Sequence, residues 1–167
     1  MKTMVLLFAL IVGAVVQALA PNWRVMGQAH MPVMLGIVLY YCLSPDRALM
    51  WLAAVLAGFL QDALGQIPLG YSSFCFCLVA LVVSRFREDV FAGDVLMHAV
   101  SGALSAGAVT LALSVLLTRD GAVILSAGRL ALKLIGSILL GAVVVPVVFH
   151  ALAGADRMLG NRPEEAS

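Results

Sequence analysis

Between Gly58 and Phe74 the chain reads Gly-Phe-Leu-Gln-Asp-Ala-Leu-Gly-Gln-Ile-Pro-Leu-Gly-Tyr-Ser-Ser-Phe, with long apolar runs on both sides. Gly65, Pro68 and Gly70 cannot share one smooth helix interior, because proline lacks the N–H a helix uses and glycine weakens it. A helix must therefore end here, the chain must turn, and another helix must begin. Asp62 sits inside this break and is the only acid between Asp46 and Glu88. An ionisable side chain in such surroundings needs a partner or a purpose.

The flanking runs fix the class. Of 167 residues, 63% are hydrophobic and only 11% charged, whereas a soluble domain carries about 25% charged residues. That composition cannot cover a surface with polar groups, so the expectation is an all-α integral membrane protein. No polar stretch is long enough for a second domain, and residues 1–167 read as a single helical domain with a polar tail over about 156–167. The net charge of +1 gives no reason to expect a nucleic-acid partner.

Six helices are expected. The first covers Met4 to Ala20. Lys2, the apolar run and Ala18-Leu19-Ala20 resemble a secretion signal, but cleavage would fall before Pro21, a poor scissile bond, so an uncleaved helix is expected. Trp23 suits an interfacial anchor. The second helix, Pro32 to Leu43, is only about 18 Å long, short of a ~30 Å hydrocarbon core; it is either a partial span or one wrapped in protein. Ser44-Pro45-Asp46 marks the start of the third, with Ser44 as cap, Pro45 at the first position and Asp46 at the positive end of the dipole. It runs to Gly65 and carries Asp62 to the far membrane face, where position 62 is expected to be open to water. The fourth runs from Leu69 to Phe86, and Arg85 to Asp89 form a charged loop. The fifth covers Asp94 to Leu117; a loop with Ser126 and Gly128 follows. The sixth covers Arg129 to Ala153, with Pro146 kinking it or marking its last third.

Six spans put both termini on one side. That side would hold Lys2, Arg47, Arg85, Arg87, Arg157 and Arg162, against Arg24, Arg119, Arg129 and Lys133 on the other. The bias favours cytoplasmic termini and places Asp62 toward the outside.

No catalytic spacing is visible: no Ser/His/acid or Cys/His arrangement, no phosphate loop and no paired intramembrane acids. His30, His98 and His150 are far apart and lack metal-ligand spacing, so no catalytic residue, metal or cofactor is expected. Cys42, Cys75 and Cys77 read as small apolar residues rather than a redox or metal site. His98 reads as an interfacial or packing histidine. Asp62 has three readings: an acceptor for free N–H groups in the turn, part of a docking surface, or an ion relay. The relay is disfavoured by the lack of a second acid nearby. On helix 5, Ser101, Gly102, Ser105, Ala106 and Gly107, with Ala103, form small-xxx-small rows. They pack either against another helix of this chain or against a partner's transmembrane helix.

Gly58, Asp62, Gly65 and Pro68-Leu69-Gly70, between two apolar helices in a chain of this length, resemble the signature of the bacterial rod-shape-determining membrane protein family MreD. One departure is that Pro32 is followed by Val33 where the family often has a polar residue. The resemblance implies a bundle similar to the substrate-binding membrane subunits of energy-coupling-factor transporters. It implies a location in the bacterial inner membrane and a scaffolding role in cell elongation. The expected partners are MreC, through membrane helix contact, with MreB, the SEDS glycosyltransferase and its class B transpeptidase. The rival expectation is a small-molecule-binding membrane subunit of a transporter.

Overall fold

A computed structural model describes residues 2–19, 32–43, 46–65, 69–85, 95–119 and 127–158. Among them are six helices and no strand: α1 (Lys2–Leu19), α2 (Val33–Cys42), α3 (Arg47–Gly65), α4 (Tyr71–Arg85), α5 (Val95–Arg119) and α6 (Ala127–Met158). Three of them, α3, α5 and α6, are long and apolar enough to cross a membrane; α1, α2 and α4 are apolar but shorter. The architecture is compatible with a helical membrane protein.

The short helix is the axis. α2 packs against each of the other five, and these follow one another around it in the order α1, α3, α4, α5, α6. Nine of its ten residues are buried, Tyr40 alone being partly open. A helix that is apolar on every side belongs inside a fold, and at about 15 Å α2 is too short to span unaided. Of the two expectations for this segment, the protein-covered one describes it. Its fit is tight at Gly36, where an added Cβ would lie 3.1 Å from Val148 of α6.

α1 and α3 both turn large apolar residues outward. On α3, Trp51, Leu52, Val55 and Phe59 face out, while the buried stripe passes from Leu49 and Met50 to the small residues Ala53, Ala54, Ala57 and Gly58. On α1, Leu6, Ala9 and Leu10 are covered, and Met4, Phe8, Ile11 and Leu19 are exposed. The small residues of α3 let backbones approach, and the large apolar residues outward suit hydrocarbon.

Several boundaries differ from the sequence reading. Asp46 stands just before α3, and its Oδ1 accepts the Ala48 N–H at 3.0 Å. Asp46 thus takes the capping role assigned to Ser44, which lies outside the described residues together with Pro45. Gly128 is helical rather than part of a loop, and α6 continues without a break through Pro146. Asp156, read from the sequence as the start of the polar tail, is also within α6. Its Oδ2 accepts the Tyr40 hydroxyl hydrogen bond at 2.6 Å, which ties the end of α6 to α2. Trp23, the charged segment 86–89 and Ser126 lie outside the described residues.

Candidate functional site: the acid corner and the two faces of α5

Asp62 lies one turn before the end of α3 and is fully buried, so position 62 is not the water-open site expected of it. Its Oδ2 accepts the Gly70 N–H at 2.7 Å, and its Oδ1 accepts the Ser72 N–H at 3.0 Å. Oδ2 also lies 3.3 Å from the same Ser72 nitrogen. The first N–H groups of a helix have no partner within it, so a carboxylate placed there satisfies them and meets the positive end of the dipole. Asp62 therefore caps α4 from the preceding helix, across eight and ten residues of chain. Of the three readings of Asp62, this geometry is that of the turn acceptor.

The glycines make the corner possible. Gly70 has φ +107°, a conformation L side chains rarely adopt. Gly58 sits against Ser73, and an added Cβ would fall inside the Ser73 backbone. Ser73 closes the contact, its hydroxyl donating to the Val55 carbonyl at 3.2 Å. Gly58, Asp62 and Gly70 thus meet in one corner. Gly65 ends α3 and Leu69 is 70% exposed at the turn; Pro68 lies outside the described residues. Beside the corner, the Gln17 amide of α1 donates to Gln61 Oε1 at 2.6 Å. Gln17 was missed in the sequence, although a lone amide near one end of each of two apolar helices is a readable sign of such a pair.

The small residues of α5 divide between two neighbours. Gly102, Ala106 and Gly107 face α6 of the same chain, so they are not free to receive a partner. An added Cβ at Gly102 would lie 2.6 Å from the Gly141 carbonyl oxygen, and one at Gly107 would lie 3.1 Å from Ile138. Ala106 is 2% exposed. Hydroxyls lock this seam: the Ser137 hydroxyl donates to the Ala106 carbonyl at 3.2 Å, and Thr110 and Ser137 share a hydrogen bond of 2.6 Å. Ser137 was also missed, because one serine in a helix signals nothing until its partner is known. Ser101 and Ser105 lie on the adjacent row of the helix. With Ala108 and Ala112 they line an apolar furrow of about 560 Å³ between α4 and α5.

At the opposite end of the bundle, the His98 ring lies 4.5 Å from that of Phe149 with a 31° tilt, the geometry of a packing histidine. Tyr40 meets Phe149 edge-on at 5.5 Å. Cys42 and Cys75 are buried and Cys77 is half-buried, all as free thiols. Among the described residues, no three His, Cys, Asp or Glu side chains are grouped to hold a metal ion. The chain therefore offers a rigid corner, a sealed helix seam and an open furrow as its candidate functional features. Comparison with protein-family models, with curated proteins and with solved structures finds no match for this chain.

Proposed function

We propose that this protein is a membrane scaffold of the bacterial cell-elongation machinery, similar in role to MreD. It would bind MreC in the cytoplasmic membrane and so couple the MreB cytoskeleton to side-wall peptidoglycan synthesis by the SEDS glycosyltransferase and class B transpeptidase. The observation that carries this reading is the corner: Gly58, Asp62 and Gly70, the described core of the resemblance, form one interlocked unit joining α3 to α4. Three apolar helices of membrane-crossing length agree with the location. In the six-span arrangement expected from the sequence, the side that holds the termini carries six Lys and Arg residues against four on the other, a bias that favours cytoplasmic ends and an outward corner.

The rival, a solute-binding transporter subunit, needs a pocket with several converging polar groups. The middle of this bundle is occupied by α2 and its buried side chains instead. A pull-down from membranes in mild detergent tests the reading, and co-elution of MreC is the expected result. A preparation that elutes without MreC, and is stabilised saturably by one vitamin or cation in a thermal-shift screen, would replace the scaffold with the transporter.

A further inference from the structure

α5 carries two adjacent rows of small residues, and only one of them is used inside the chain. Gly102 and Ala106 meet Gly141 of α6, where Ser137 supplies the hydroxyl contact. The neighbouring row, Ser101, Ser105, Ala108 and Ala112, has the i, i+4, i+7, i+11 spacing of one helix face and forms a wall of the furrow. Ser105 is 7% exposed and faces this space. Among the described residues its hydroxyl has no hydrogen-bond partner. Ser101, by contrast, donates to the His98 carbonyl at 3.0 Å. Ser105 is ten residues from Val95 and fourteen from Arg119, about 15 and 21 Å along the axis. That depth is close to the middle of a bilayer.

The unpaired hydroxyl selects the occupant. A lipid chain could fill the volume, but its polar atoms belong to the headgroup region and cannot reach Ser105 at mid-depth. A second copy of this chain fits poorly, because the exposed residues in the middle of its described helices are apolar. A transmembrane helix from another protein satisfies both requirements. Small residues let it approach, and a Ser, Thr, Asn or Gln on it can meet Ser105, as Ser137 of α6 meets the Ala106 carbonyl on the neighbouring row. We infer that the α4–α5 furrow is the docking site for a single transmembrane helix of a partner protein, which carries a hydrogen-bonding side chain at mid-membrane depth. On the scaffold reading that helix is MreC's, and the inference rests on that reading.

The test places benzoylphenylalanine at Leu104, on the furrow rim, or at Ile11 of α1, and irradiates membranes in which MreC from the same genome is co-expressed. An MreC adduct at position 104 and none at position 11 is expected. Adducts at 104 containing only lipid or only a second copy of this chain would overturn the inference, as would MreC adducts confined to position 11. If MreC co-purifies but never crosslinks at 104, the furrow is wrong and the scaffold reading stands. If MreC does not co-purify at all, both fall. A second variant, Ser105→Leu, puts a larger apolar side chain on the furrow row and leaves the seam residues Gly102, Ala106, Ser137 and Gly141 unchanged. It should reduce co-purified MreC about tenfold, the size of one to two interhelical contacts in lipid, with an unchanged unfolding midpoint. Wild-type recovery of MreC from a stably folded Ser105→Leu protein would also overturn the inference.

Discussion

Replacing Asp62 with alanine removes the acceptor for two backbone N–H groups at the start of α4 and puts nothing in its place. The Gly70 and Ser72 nitrogens, 2.7 and 3.0 Å from the carboxylate, lose their partner. Asp62 is fully buried, so water does not substitute freely. Each stranded buried donor costs about 1–3 kcal/mol, and deleting an ordinary helix cap about 1 kcal/mol. The expected loss for Asp62→Ala is therefore about 3 kcal/mol, roughly a hundredfold in the folding equilibrium. Asp62→Asn retains one oxygen that can accept from Gly70, but its amide group then faces the Ser72 N–H, donor against donor. Its loss should be smaller, about 1–2 kcal/mol. Titration of the purified protein from mild detergent into dodecyl sulfate gives both values. In a Trp23→Phe background, Trp51 of α3 is the sole tryptophan reporting on the change. An alanine variant that unfolds within about 0.5 kcal/mol of the parent, below the cost of even a weak cap, would refute the capping argument. So would an asparagine variant less stable than the alanine one.

The other predictions use the same titration or simple labelling. Gly58→Ala drives a Cβ into the Ser73 backbone, so α3 and α4 must separate; a loss of about 1–3 kcal/mol or more is expected, and parental stability would contradict the close approach. Gly102→Leu should destabilise the protein itself by opening the α5–α6 seam, and by more than Gly107→Leu. The first meets the Gly141 carbonyl at 2.6 Å and the second only a movable Ile138 side chain at 3.1 Å. If Gly102→Leu lowers partner binding but leaves stability untouched, the seam is wrongly placed. Leu69→Cys puts a thiol at a position 70% exposed, while native Cys42 and Cys75 are buried. An impermeant maleimide should label it from outside intact spheroplasts; labelling only after lysis would reverse the orientation.

Much of this protein can be read without coordinates, because the strongest signals are local. Apolar runs and their breakers place all six described helices to within a few residues, apart from the longer C-terminal reach of α6. The missing N–H of proline and the freedom of glycine mark the Gly58–Phe74 break, and a lone acid in that setting points to an unpaired turn. Local signals fail where two distant segments must agree. Asp62 is visible as an anomaly, yet its acceptor role depends on Gly70 and Ser72 folding back onto α3. Asp156 reads as part of a polar tail until Tyr40, 116 residues away, is seen to hold it.

The residue sequence by itself determined the helical, membrane-compatible class, the order of the helices and the corner between α3 and α4. It did so because hydropathy and backbone chemistry act over a few residues. Only the tertiary structure decided that α2 is the axis, that one small-residue row of α5 is sealed by α6, and that the other row opens onto a furrow. Where helices are apolar on their outer as well as their inner faces, hydrophobic periodicity no longer separates inside from outside. Burial then follows from shape, from which small residues find a backbone to approach and which hydroxyls find an acceptor.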